Sequence, residues 1–382
     1  MIRCAEALSI DRSTEAATEE VATKLEAGLA GATGDLAMIF ATMHHAGSLD
    51  RISRAVRARG LGRVVLGCTC ESVVGEGREI EGTTGLAAWS ASLPGVDLAP
   101  FAVEGEQGWP SAAGEEPTSA VLLLGDPFEF GVEAWFRRVA ATRPEVKALG
   151  GMASGGSSPG QNRLVLDDEV RREGAVGVAL RGPLAIRSVV SQGCRPIGRH
   201  LIVTRAEGNL IRELGRRPAL EVVQEIFAGL PEVDRERVQA GLHVGRVINE
   251  YQDSFGRGDF LVGNVLGADQ AGGIAITAPV RVGQTVQFHV RDAETADEDL
   301  RQLVREARES GGPAAGALLF TCNGRGSRLF PGPDHDVSVL RELLGPIPTA
   351  GFFAMGEIGP VGGQNFVHGY TASVVLFGEP DA

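Results

Sequence analysis

Lysine is nearly missing from this chain: Lys24 and Lys147 are the only two in 382 residues, and arginine supplies the rest of the positive charge. Schiff-base chemistry would have to use one of those two side chains. No GxxxxGK[ST] stretch occurs, which excludes a P-loop nucleotide site. Cysteine is sparse, odd in number and scattered, at Cys4, Cys68, Cys70, Cys194 and Cys322, which argues against a disulfide framework and for a reducing compartment. No run of about 18 apolar residues is present, and the N-terminal "MIRCAEALSIDRSTEAATEE" turns acidic where a secretory signal needs an apolar stretch. Blocks of basic residues are also absent, and the formal net charge is -13, so phosphate backbones and anionic membrane surfaces are repelled on average. The expectation is a cytoplasmic protein with no membrane insertion and no nucleic-acid partner. No motif calls for a cofactor or a metal; Cys68 and Cys70 lie at i and i+2 without the spacing of a structural zinc site, and read as small buried hydrophobes.

What the chain does have is glycine, 53 of them, and apolar strands that run into glycine-rich loops. With 43% hydrophobic residues and this length, two domains can each bury a core. From Leu36 the order is strand, helix, strand, glycine-rich link, strand: "LAMIFAT", "SLDRISRAVRARG", "RVVLGCTC", "ESVVGEGREIEG", "TGLAAWSA". The order returns from Ala120, loosely from Gly241, and again from Gly316 through "GALLFTCNGRG", "AGFFAMGEIG" and "YTASVVLF". The fold class expected is mixed α+β. Duplication predicts two related domains of two strand-helix-strand-strand units each, with sheets face to face and helices outside. The division expected is residues 1–35 as one N-terminal helix, 36–200 as the first domain and 201–382 as the second. Periodicity predicts helices over Thr14–Leu29, from Pro218 to about Gly229, and over Thr295–Ser310, the last opened by the capping box "TADE".

The densest polar chemistry comes late. In "CNGRG" the strand "ALLFT" opens into a loop carrying Cys322, Asn323 and Arg325, a usual place for binding groups. Arg325 is a planar fork suited to a carboxylate, either that of a ligand or that of an internal Asp or Glu. "GEIGPVGGQNFVHG" sets Glu357, Asn365 and His368 among glycines that let backbone approach closely; Glu357 beside Arg325 would make a structural pair. "GGMASGGSS" offers Ser154 and Gly155 in the place that "GEIG" holds in the last unit. "DHD", Asp334 to Asp336, opens a helix and reads as a cap.

Taken together, "GGMASGG", "SQGCRPIG", "CNGRG", "GFFAMGEIGPV" and "NFVHGYTAS" resemble the FIST family (F-box and intracellular signal transduction), the first two in its N-terminal domain and the last three in its C-terminal domain. The resemblance implies a sensory module that binds a small ligand, an amino acid or a derivative, without an F-box or kinase of its own, so that output passes through an unknown signalling partner. Three functions follow as alternatives. The first is that sensor, with ligand-binding residues Cys322, Asn323, Arg325, Glu357, Asn365, His368, Ser154 and Gly155 and no catalytic residue. The second is a cysteine-dependent acyl-transfer or hydrolytic enzyme using Cys322 as nucleophile and His368 as base. The third is a protein–protein adaptor. The residues leave the ligand, the output, the oligomeric state and the reactivity of Cys322 open.

Overall fold

The computed structural model describes residues 1–105, 118, 120–252, 254–256 and 258–380. It is mixed α+β, as the sequence predicts, and forms two compact units: one of Met1–Ser191, Leu300–Val367 and Thr371–Ala382, the other of Gln192–Asp299 and His368–Tyr370. The units therefore do not follow the consecutive division at residue 200. Nor are the first 35 residues one helix. They hold a strand, Arg3–Ser9, and then the helix Thr14–Leu29, capped by the Ser13 side chain accepting from the Ala16 amide.

The larger unit is built from one repeat used three times. In the first, Leu36–Thr42 and Val64–Cys70 run parallel, and Leu86–Ser92 pairs antiparallel to the former. In the second, Ala120–Gly125, Lys147–Met152 and Ala175–Arg181 do the same. In the third the strands are Ala314–Cys322, Thr349–Ala354 and Thr371–Gly378. Each sheet carries a leading strand beyond the last one: Arg3–Ser9, Asp97–Val103 and Ala185–Gln192 respectively. The helices Leu49–Ala58, Val132–Thr142 and His335–Leu344 make the crossovers that a parallel pair requires.

Each repeat also sends a hairpin away from itself. The hairpin Val73–Gly75 and Arg78–Ile80 of the first repeat pairs with Thr349–Ala354 of the third. The hairpin Leu164–Leu166 and Glu169–Arg171 of the second pairs with Val64–Cys70 of the first. The strand Glu357–Val361 of the third, followed by Gln364–His368, pairs with Lys147–Met152 of the second. The exchange is cyclic, and it closes one edge of every sheet.

Alternate residues on the strands serve two cores, which is why the strands read as unbroken apolar runs. Met38, Phe40, Leu122, Leu124, Leu318 and Phe320 share one central cluster with Cys68 and Cys70. There the Phe40 ring stacks on Phe352 at 5.1 Å and meets Phe320 edge-on at 6.2 Å. The intervening residues face the helices: Ala37 and Ile39 with Val21, Leu25 and Ile52, Val121 and Leu123 with Trp135 and Val139, Ala317 and Leu319 with Val337 and Leu340.

The segment from Gly241 to Val290 departs from the expected fourth copy. His243–Val247 pairs antiparallel with Phe260–Ala268, where the repeat would have a parallel pair joined by a crossover helix. The smaller unit is instead an antiparallel ring. Cys194–Glu207, Thr285–Arg291, His243–Val247, Phe260–Ala268, Ile274–Ile276 and Leu210–Leu214 pair in that order, and Leu210–Leu214 pairs back onto Cys194–Glu207. Val244, Val286, Phe288 and Ile274 pack with Ala219 and Val222 of the helix Ala219–Gly229. In the chain, this unit interrupts the third repeat between its leading strand and Ala314–Cys322. The later helix begins at Ala293, two residues ahead of the predicted Thr295, since the Asp292 carboxylate accepts from the Thr295 amide and caps it.

One glycine marks the same place on every second strand. Gly67, Gly150 and Gly351 are the register partners of Ile39, Leu123 and Leu319. A Cβ on Gly351 would lie 1.7 Å from the Leu319 carbonyl oxygen, and one on Gly150 1.9 Å from that of Leu123. Both backbones would have to move. Gly351→Ala and Gly150→Ala should each destabilise by about 2–4 kcal/mol in chemical denaturation, whereas Gly47→Ala, with nothing within 4 Å of its Cβ, should cost far less. Equal effects for all three would refute the close-packing argument.

Candidate functional site

The parallel strands Ala314–Cys322 and Thr349–Ala354 end side by side, and the loops that leave them meet there. The Asn323 amide donates to the Ala354 carbonyl at 3.0 Å, and the Arg325 amide to the Cys322 carbonyl at 2.8 Å, closing a turn. The Gly324 amide points at Cys322 Sγ, 3.4 Å away. Across the strand ends, the Glu357 carboxyl is fully buried beside the Cys322 thiol. Its Oε2 accepts from the Thr371 amide at 3.1 Å and the Thr371 hydroxyl at 2.7 Å, while Oε1 has no hydrogen-bond partner.

Arg325 is wholly buried and is held by Asp336, not by Glu357. Nε donates to Oδ2 and Nη2 to Oδ1, both at 2.7 Å, in a fork that a lysine could not copy. Asp336 is therefore an ion-pair partner, while Asp334 holds the N-cap position at the helix start that "DHD" marks, its side chain accepting from the Glu79 amide at 2.6 Å and not from the helix. Asp336 also accepts from the Thr321 hydroxyl at 2.6 Å, and His335 Nδ1 lies 2.9 Å from its Oδ1. Phe330 lies beneath the guanidinium, 5.2 Å from its carbon. Burial works against the Arg325 charge, and the Asp336 carboxylate more than offsets it, so the guanidinium is held above its ordinary range. Burial likewise opposes the Asp336 charge, but Arg325 keeps that carboxyl well below the usual carboxylate range. Two nitrogens of Arg325 are committed; Nη1 has no partner.

The exchanged hairpin of the first repeat brings three more carboxylates to this end. Glu79 accepts from the Val337 amide at 3.0 Å through Oε1, and its Oε2 is unpartnered. Burial, and the nearby Asp336 charge, push Glu79 up to about 8. Glu81 accepts from the Ser327 amide and hydroxyl, and Glu71 pairs with Arg328, whose Nη1 also reaches the Asn323 carbonyl at 2.8 Å. Ser154, from the second repeat, donates to the Phe353 carbonyl and accepts from the Glu71 amide at 3.0 Å.

Of the residues singled out from the sequence, Cys322, Asn323, Arg325 and Glu357 are gathered here, and Ser154 borders them through backbone contacts. Gly155 is a packing position: its amide points to the Thr69 carbonyl at 3.3 Å, and a Cβ would meet Met43 Sδ at 2.7 Å. Asn365 lies elsewhere on the sheet. It accepts from the Ala148 amide at 2.9 Å and donates to the Val146 carbonyl at 2.8 Å, about 10 Å along the strand from Gly151, the register partner of Glu357. His368 is buried and belongs to the smaller unit. Sequence reasoning missed Asp336, Glu79 and Thr321. "DHD" signalled the first; nothing local signals the others.

Comparison with known proteins now bears on the site. Residues 35–217 match the FIST N domain and residues 219–360 the FIST C domain. The chain belongs to the FIST family. It is 43% identical over 367 residues to an uncharacterized protein of Mycobacterium tuberculosis, Rv0628c, covering 94% of this chain and 96% of that one. It is 42% identical over 369 residues to an uncharacterized protein of Mycobacterium bovis, Mb0898c, covering 94% and 95%. FIST domains are sensor domains of signal transduction. Among the described residues no helix is long and apolar enough to cross a membrane.

The repeats of this FIST protein allow a comparison within one chain. The residue on the exchanged hairpin opposite the one after the shared glycine is Val73 in the first, Leu164 in the second and Glu357 in the third. Two apolar side chains at that place suffice for the fold. Likewise, the position three residues beyond the partner of that glycine is Thr42, Asp126 and Cys322. The third FIST repeat thus replaces scaffold residues with a carboxyl and a thiol.

Burial pushes Glu357 up to about 8, against the opposing pull of the Thr371 hydrogen bonds, the thiol and Arg325. Between about 4.5, the ordinary value, and 8 the folded protein then holds a proton that the unfolded chain has lost. Stability from the neutral carboxyl is complete below that window and falls as pH rises through it. The melting temperature of Glu357→Gln relative to the parent should therefore climb between pH 5 and pH 9, and a pH-independent difference would contradict it. Asp336→Asn should cost about 3–5 kcal/mol, measured by urea denaturation, because it strands the buried guanidinium.

Proposed function

We propose that this protein is a cytoplasmic sensor whose third repeat binds a small zwitterionic ligand, an amino acid or a derivative, and signals through a partner protein. One observation carries the reading: Glu357 is a fully buried carboxyl with an unpartnered oxygen at a position the other repeats fill with Val73 and Leu164. A buried unsatisfied oxygen costs free energy that a ligand donor recovers. Asn323 Oδ1 is a second unpartnered acceptor and Arg325 Nη1 an unpartnered cationic donor. Acceptors for an ammonium and a donor for a carboxylate are the complement of a zwitterion. The acidic balance of the chain disfavours an anion at long range, so the guanidinium supplies a local attraction.

Isothermal titration of the folded protein against amino acids and their derivatives is the direct test. A saturable ligand is expected. Asn323→Ala should weaken its binding about tenfold, the equivalent of one charge-assisted hydrogen bond, while leaving the melting temperature nearly unchanged, since that side-chain oxygen makes no bond without ligand. A panel in which nothing binds, or binding indifferent to Asn323, would sink the reading.

A further inference from the structure

We infer that the same site is chemically reactive: Cys322 is a nucleophile that gives its proton to Glu357 and accepts the acyl group of a small carboxylate-bearing acyl compound. The inference rests on the ligand site proposed above and adds a covalent step to it.

The thiol stands where a catalytic sulfur is useful. It ends a central strand, the Gly324 amide at 3.4 Å offers a hydrogen bond to a developing thiolate, and the positive charges of Arg325 and Arg328 both act on it. The remaining charged groups around these are Asp336 and Glu79 at Arg325, and Glu71 and Glu81 at Arg328. Its neighbour Glu357 is oriented, because Thr371 fixes Oε2 through two hydrogen bonds and leaves Oε1 to exchange a proton. A carboxyl raised to about 8 is a much stronger base toward a thiol than an ordinary one. An ordinary carboxyl, near 4.5, would be too weak a base by about four orders of magnitude. The other thiols of the larger unit lack any of this. Cys4, Cys68 and Cys70 lie in the apolar central cluster, where burial pushes Cys4 up to about 12 and raises the other two well above the usual thiol range.

In the step proposed, which starts from the ionised form of Glu357 that becomes abundant near pH 8, the Cys322 proton moves to the Glu357 carboxylate as Sγ bonds to the carbonyl carbon. The carbon–leaving-group bond then breaks, and the leaving group departs with the electron pair and takes the proton from Glu357. The products are a Cys322 thioester and the protonated leaving group; no electrons are exchanged with a third party. Arg325 Nη1 is the group placed to hold the carboxylate of the acyl compound.

Two probes test this on the full chain, each followed by peptide mass mapping. Iodoacetate and iodoacetamide should both alkylate Cys322, at least tenfold faster than Cys4, Cys68 or Cys70. Iodoacetate should be the faster of the two, the reverse of the order for a free thiol and the reverse of what a net charge of -13 favours. A small succinyl thioester should leave a succinyl group on the Cys322 peptide. Glu357→Gln should slow both reactions about tenfold at pH 8 and move the midpoint of the rate–pH profile, and Glu357→Asp should recover part of the rate. Slow labelling of Cys322, a preference for iodoacetamide, absence of the succinyl adduct, or rates indifferent to Glu357 would each overturn the inference. Cys322→Ala separates it from the binding reading: if that variant and the parent both bind an amino acid while the parent thiol is inert, only the covalent step falls, and if neither binds, the site itself falls.

Discussion

An unpaired strand edge is the constraint on which this architecture turns. A parallel pair with its crossover helix leaves the second strand open on one side, and an open apolar edge invites association with any other strand. Each repeat solves the problem for another: the first covers the third, the second covers the first and the third covers the second. No repeat can complete its sheet alone. The same exchange delivers loops from all three repeats to the ends of the central strands, so the geometry that protects the edges also assembles the polar cluster.

That cluster is arranged so that few of its charges are compensated twice. Arg325 and Asp336 neutralise each other in a bidentate pair, with Thr321 and His335 completing the carboxylate's shell. The cost of desolvating two charges is met only because this geometry is nearly ideal. Glu79 and Glu357 have no such partner, and burial holds both as neutral acids near pH 7. A buried guanidinium beside one ionised and two protonatable carboxyls is an environment whose charge can change when a ligand or a proton arrives.

Within the fold the three repeats act as controls for one another. Glycine recurs at Gly67, Gly150 and Gly351 because the first strand's carbonyl comes too close for a Cβ, and that recurrence is scaffold. The departure from the shared pattern at Glu357 needs another reason, since Val73 and Leu164 keep the same backbone with apolar side chains. The smaller unit stands outside this comparison. Its antiparallel ring is inserted in the chain between two strands of the third repeat, and nothing in its pairing repeats theirs.

Local signals in the sequence found the main strands of the three repeats, the helix Thr14–Leu29, the class of fold and the glycine-rich strand ends, because period-2 and period-3.6 patterns and glycine positions report backbone geometry directly, but they missed the strand Arg3–Ser9 and read a fourth copy in the segment of the antiparallel ring. They also found Cys322, Asn323, Arg325 and Glu357, since polar residues where an apolar strand opens into a loop are visible without coordinates. Which hairpin paired with which sheet was not legible. Backbone hydrogen bonding carries no side-chain signature, so an exchanged hairpin reads like a local one, and the sequence was read as two domains of two units where the fold has three repeats and an inserted ring. The partner of Arg325 was hidden for a related reason: Glu357 and Asp336 are equally good carboxylates on paper, and only the path of the helix His335–Leu344 back over Ala314–Cys322 placed Asp336 at 2.7 Å. The sequence alone named Cys322, Asn323, Arg325 and Glu357; the tertiary fold decided their partners, because charge pairing depends on distances that only the packed chain sets.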